Sequence, residues 1–90
     1  MGKVADSLTE TLSRHLDPSV LEIVDDSARH AGHAGATKAG ESHFDITVES
    51  AVFTGLRPLA RQRLIHSLLA EQLKGPVHAL SMHLRAPGEN

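Results

Sequence analysis

The clearest structural signal in the chain is an unbroken alternation of polar and apolar residues at His43–Glu49 (HFDITVE). Side chains along a strand point alternately to opposite faces, so Phe44, Ile46 and Val48 fall on one face and the residues between them on the other. The pattern predicts a strand that buries one face and leaves the other toward solvent. The segments on either side are interpreted outward from this strand.

Two elements are predicted upstream of it. A set of apolar residues recurs at four-residue spacing near the N-terminus: Val4, Leu8, Leu12 and Leu16. This spacing predicts an amphipathic helix over residues 3–16, which ends before Pro18 because a residue that precedes proline disfavours the α conformation. The β-branched run at Val20–Asp25 predicts another strand. Residues 28–42 contain three glycines and have no apolar period, which predicts a long flexible loop between the strands.

A helix and a last strand are predicted downstream. Pro58 fits the first turn of a helix, and Gly75-Pro76 ends the helical pattern. The apolar arc of this helix consists of Leu64, Ile65, Leu68, Leu69 and Leu73. Val77–Ala86 then predicts a strand, with Leu80, Met82 and Leu84 on its core face. Pro87-Gly88 stops this strand, which leaves a short tail at 87–90.

Arg61 does not fit the helical pattern, because by angle it falls among the apolar positions. Two explanations are open. Either the helix is broken near Gln62, or Arg61 reaches past the edge of the core to a specific partner.

The predicted order is helix, strand, strand, helix, strand in a single domain over residues 1–90. A strand–helix–strand connection favours a right-handed crossover and a parallel pair, whereas the first two strands can pair antiparallel. We therefore expect an α/β (α+β) fold with a three-stranded mixed sheet and the helices on one face.

Composition limits the chemistry. The chain has no cysteine, so disulfides, thiolate nucleophiles and all-thiolate metal sites are excluded, while seven histidines offer metal ligands. The net charge of −2 argues against phosphate binding as the main task. The chain begins without a signal peptide and has no run near the roughly 20 apolar residues that span a bilayer, so we expect a cytoplasmic protein with no membrane partner.

Several segments resemble the BolA family in order and spacing from about Val4 to Ala86. They are LEIVDDS (21–27) followed by RH (29–30), ESHF (41–44), FTG (53–55), RQR (61–63) and VHALS (77–81). The resemblance implies a fold similar to the class II KH domain, which agrees with the predicted order. It also implies an adaptor or regulator in iron–sulfur and iron homeostasis rather than an enzyme.

BolA-like proteins pair with monothiol glutaredoxins and share a 2Fe-2S cluster with them, for which the glutaredoxin and its glutathione supply thiolates. Carried over to this chain, His78 matches the family's C-terminal ligand histidine. The second ligand comes from the region before the second strand, where His43 is the best match and His30 and His33 are alternatives. Imidazole in place of thiolate on one iron raises the reduction potential.

One geometric expectation comes from the residues alone. If the second and third strands are parallel neighbours, His43 and His78 lie at the same sheet edge. We interpret the remaining histidines as structural or surface residues: His15, His66 and His83.

Two other functions stay open. The family is also described as DNA-binding transcriptional regulators, and the basic residues on or around the second helix are Arg57, Arg61, Arg63 and Lys74. The family commonly has Arg-His-Arg where this chain has Gln62 in the middle, so no role of that histidine carries over. Alternatively, His30 and His33 could bind a metal weakly without a partner. Catalysis has little support, since neither a GxSxG motif nor a spaced acid/base pair is present, and no small-molecule substrate is expected.

Overall fold

The computed structural model describes residues 2–25 and 43–89. Within these ranges the elements are α1 (Lys3–Leu16), β1 (Val20–Asp25), β2 (His43–Glu49), a 3-10 turn (Ala51–Phe53), α2 (Pro58–Leu68), α3 (Ala70–Lys74) and β3 (Ala79–Arg85). The predicted order of helices and strands is confirmed. The predicted loop at about 28–42 lies outside the described residues.

The three strands form one mixed sheet in the order β1-β2-β3. β2 pairs antiparallel with β1 and parallel with β3, so that Ile46 lies opposite Ile23 on one side and Met82 on the other. The parallel pair agrees with the crossover expected for a strand–helix–strand connection. The predicted fold class is therefore confirmed.

The helices cover one face of this sheet. Leu8, Leu12 and Leu16 of the α1 stripe are buried together with Ala5, whereas Val4 is half-buried. On β2, every second residue from Phe44 to Val48 is buried and forms the core face of the strand. Among the described residues, the large apolar side chains that are fully buried are Leu8, Leu12, Phe44, Ile46, Val48, Phe53, Ile65 and Leu69. This aliphatic core has only two aromatic side chains, because the chain contains only Phe44 and Phe53.

The C-terminal half differs from the prediction in three details. The second helical region is divided at Leu69 into α2 and α3, rather than broken near Gln62. β3 covers Ala79–Arg85 and is shorter than the predicted 77–86, although its flanking residues Val77 and Ala86 are buried. The 3-10 turn was not predicted, because three residues are too few for a period to be visible.

Ser50 connects two elements that are distant in sequence. Its buried hydroxyl donates a hydrogen bond of 2.6 Å to the Leu16 carbonyl at the end of α1. The same oxygen accepts from the Val52 amide at 3.2 Å, and the Ser50 amide donates to the Arg85 carbonyl at 3.0 Å. Ser50 thus fixes the C-terminal end of α1 against the turn that follows β2.

Candidate functional site

His43 and His78 lie at the same end of the parallel strand pair. His43 begins β2 and is paired with Ala79, the first residue of β3, so His78 is the residue directly before its partner. Neighbouring strands lie about 4.8 Å apart, which makes the two histidine backbones close neighbours. His78 is exposed and His43 is half-buried. The predicted placement of both residues at one sheet edge is confirmed.

The two imidazoles are not a direct cross-strand pair. His43 lies opposite Ala79 and shares its face of the sheet with Asp45, whereas His78 precedes the strand by one residue. Because successive residues of an extended chain point to opposite sides, a shared ligand would have to sit around the end of the sheet. His30 and His33, the alternative ligands, fall outside the described residues.

The described part of the chain offers few further metal ligands at this edge. Within residues 2–25 and 43–89, no three histidine, aspartate or glutamate side chains come together in a way that could hold a metal ion. His43 and His78 therefore offer two nitrogen ligands, and further ligands would have to come from another source.

The sheet face opposite the helices carries a second group of polar side chains. Nε2 of His83 lies 3.3 Å from Oδ1 of Asp45. Nearby, Ser19 Oγ donates to one Glu49 oxygen at 2.7 Å and Arg85 Nε donates to the other at 2.9 Å. The hydrogen bond from Ser19, followed by that from Arg85, lowers the pKa of Glu49. The two hydrogen bonds to Glu49 stabilise this face of the sheet, and the exposure of His83 agrees with a structural or surface residue.

Arg61 resolves the anomaly in the helical pattern. It is 9% exposed, and its Nε donates to the Leu56 carbonyl at 3.0 Å while Nη1 lies 3.3 Å from the Leu84 carbonyl. Nη1 and Nη2 donate to the two carboxylate oxygens of Glu89 at 2.6 and 2.8 Å. Of the two explanations left open, the second is therefore correct: Arg61 reaches a specific partner.

The Arg61–Glu89 pair shifts the pKa of both groups. The hydrogen bond from Arg61, and then that from the Ala86 amide, lowers the pKa of Glu89 to about 2. The pKa of Arg61 is raised, chiefly by its hydrogen bond to Glu89. Glu89 was missed at the sequence level, where residues 87–90 were only a short tail. The signal was present in Arg61 itself, since an arginine on an apolar arc needs an anionic or carbonyl partner.

The predicted basic surface is reduced by this pairing. Arg61 is buried and satisfied within the chain, whereas Arg57, Arg63 and Lys74 are exposed. Of these, Arg63 lies on α2, where Leu59 is 57% exposed and lines a shallow depression with Gln62, Arg63 and His66. The outward side of α2 thus places the cationic Arg63 beside the exposed apolar Leu59.

No helix of the described residues is both long and apolar enough to cross a membrane.

Comparisons with known proteins place the chain in a family. A model of the family described as BolA-like protein matches residues 12–89. BolA-like protein 1 of Pongo abelii is 45% identical over 93 residues, which cover 100% of this chain and 65% of the relative. The DNA-binding transcriptional regulator BolA of Escherichia coli (strain K12) is 44% identical over 80 residues, covering 89% of this chain and 72% of the relative. The chain spans slightly less than two thirds of the length of the mammalian relative.

Comparison of the fold with solved structures leads to the same family. The BolA domain of SufE1 from Arabidopsis thaliana superposes with a TM-score of 0.89 at 39% identity, covering 100% of this chain and 99% of that domain. The sequence match, the identity over nearly the whole length and the common fold agree with one another. This chain belongs to the BolA family.

Proposed function

We propose that this chain is an adaptor that binds a monothiol glutaredoxin and shares a 2Fe-2S cluster with it, in iron–sulfur and iron homeostasis. The observation that supports the proposal best is the adjacency of His78 and His43 at one end of the parallel pair β2–β3. Two imidazoles can complete one iron, and a chain without cysteine needs thiolates from a partner for the other. Family membership supplies the same expectation.

The residues fit this role chemically. His78 is exposed directly before β3, so a partner can approach it without disturbing the core. The second ligand would be His43, His30 or His33. His43 has the disadvantage that its direct cross-strand neighbour is Ala79 rather than His78. When bound, the cluster would supply one-electron chemistry, and the histidines of this chain would bind it only in their neutral form.

The test is a titration of a cluster-loaded monothiol glutaredoxin homodimer with this protein, followed by visible absorption and circular dichroism. We expect a new spectrum that saturates at one chain per glutaredoxin. An unchanged spectrum, together with the lack of a complex in size-exclusion chromatography, would reject the adaptor function. His83→Ala is the matched control, because His83 is an exposed histidine within β3, opposite Thr47 and away from the proposed ligands at the other end of the strand.

A DNA-binding regulator is the second candidate. Two observations favour it: the bacterial relative at 44% identity is named a DNA-binding transcriptional regulator, and α2 with its flanks presents the exposed cations Arg57, Arg63 and Lys74. Phosphate contacts weaken steeply as salt rises, so binding to a fluorescent duplex at several salt concentrations tests this candidate. Binding that does not depend on salt would contradict it.

A further inference from the structure

The guanidinium of Arg61 is held in place from several sides. The Leu56 and Leu84 carbonyls accept from Nε and Nη1, and the Phe53 ring lies beneath with its centroid 5.8 Å from the guanidinium carbon. These three residues belong to the scaffold of the fold. The remaining donors of the planar guanidinium form a fork, which matches the geometry of one carboxylate.

Glu89 fills this fork from a segment that contributes little to the core. Residues 87–89 are exposed, and only Ala86 before them is buried. The turn is closed by the Glu89 amide donating to the Ala86 carbonyl at 3.1 Å and by the Ala86 amide donating to Glu89 Oε1 at 3.0 Å. Glu89 can therefore leave Arg61 without uncovering apolar surface, whereas Arg61 stays fixed by its two carbonyls.

Arg61 also lines a groove between α2 and β3. The groove is lined by Pro58, Arg61, Gln62, Met82 and Leu84, which are apolar or uncharged apart from Arg61 itself. Leaving a buried arginine without its carboxylate strongly destabilises the folded protein. When Glu89 leaves Arg61, another anion therefore has to take its place. The charge of the fork and the apolar lining together fit an acidic side chain presented by a protein segment.

We propose that Arg61 is a carboxylate receptor, occupied by Glu89 within the chain and open to replacement by an acidic side chain of a protein partner that lies in the groove. The exchange would release the turn at 86–89. This site is on the α2–β3 side of the fold and does not depend on the histidines of the proposed cluster site.

The probe for the receptor is acetate, followed through the Arg61 Nε–H signal in nitrogen–proton NMR spectra. In Glu89→Ala the fork is empty, and we expect a saturable shift of this signal. In the full wild-type chain the internal carboxylate competes at a high effective concentration, so acetate should bind roughly tenfold or more weakly. The Nε–H of the exposed Arg63 is the matched control and should not show a saturable shift in either protein.

Two peptides then identify the source of the carboxylate. One is blocked at both ends and carries a single glutamate side chain, and the other carries only its C-terminal carboxylate. We expect the first to shift the Arg61 signal of Glu89→Ala and, at higher concentration, to move the Glu89 amide signal of the wild type. If only the second peptide binds and the first does not, the assignment of the ligand to an acidic side chain is overturned.

The lack of a saturable acetate shift in folded Glu89→Ala would overturn the receptor itself. If that variant does not fold, Glu89→Gln takes its place, because its neutral side-chain oxygen still accepts from the Ala86 amide but binds Arg61 less strongly than a carboxylate, so acetate can displace it. An unaltered Arg61 signal in Glu89→Gln under acetate then contradicts the proposal in the same way.

Discussion

The carboxylate of Glu89 accepts hydrogen bonds from both terminal nitrogens of Arg61, at 2.6 and 2.8 Å. This pair connects α2 to the turn that follows β3, across 28 positions of sequence. It also removes one of four candidate phosphate-binding cations from the surface. The DNA-binding alternative therefore depends on Arg57, Arg63 and Lys74.

The pair predicts a pH dependence of stability. The pKa of Glu89 is lowered from 4.5 to about 2, so the unfolded chain takes up a proton before the folded chain does. The stabilisation is therefore complete above pH 4.5 and is lost as pH falls toward 2. Above pH 4.5 the wild type should unfold at a higher urea concentration than Glu89→Gln. This difference between the two urea midpoints should shrink to zero as the pH falls from 4.5 toward 2. A difference that stays constant down to the lowest pH would contradict the pairing.

Ile46 is expected to be a major contributor to stability. It is fully buried at the centre of the sheet, between Ile23 and Met82. Ile46→Ala should lower the free energy of unfolding by about 2–5 kcal/mol, because it removes buried methyl groups and leaves a cavity. Urea denaturation measures this effect. Ser81→Ala, at an exposed position of β3, is the control and should change the value by no more than about 0.5 kcal/mol.

Ser50→Ala should destabilise the fold by about 1–2 kcal/mol. The change leaves the Leu16 carbonyl and the Val52 amide without the hydroxyl that now bonds both. Thermal denaturation is the measurement, with Ser67→Ala on the exposed side of α2 as the control. An unaltered melting temperature in Ser50→Ala would contradict a stabilising role for these two hydrogen bonds.

The single-histidine variants test the cluster ligands. His78→Ala should keep the far-ultraviolet circular dichroism of the wild type, because His78 is exposed, but should abolish the spectrum of the mixed cluster. Among His43→Ala, His30→Ala and His33→Ala, we expect one to have the same effect, which identifies the second ligand. A mixed-cluster spectrum that survives His78→Ala would remove His78 from the site.

The DNA alternative makes its own prediction. Arg63→Ala should weaken binding to duplexes about equally for every sequence. It should also reduce the magnitude of the slope of log affinity against log salt by about 1, which corresponds to one lost phosphate contact. Fluorescence anisotropy at several salt concentrations measures both quantities. If the variant binds duplexes as tightly as the wild type, the α2 surface is not the DNA-binding surface. Lys3→Ala on α1 is the control, because it removes the same charge from another helix.

The sequence by itself determined the order of the elements, the faces of α1 and β2, and the parallel pairing that brings His43 near His78. Hydrophobic periodicity is local, so the elements and their faces can be read from a few neighbouring residues, and the crossover rule for a strand–helix–strand connection then gives the parallel pair. The sequence could not give the partner of Arg61 or the two hydrogen bonds of the Ser50 hydroxyl. Nor could it show that His43 lies opposite Ala79, one residue after His78. Apart from the contact between Ser50 and Val52, these features join residues far apart in sequence, and only the tertiary structure decided which donors, acceptors and strand positions meet.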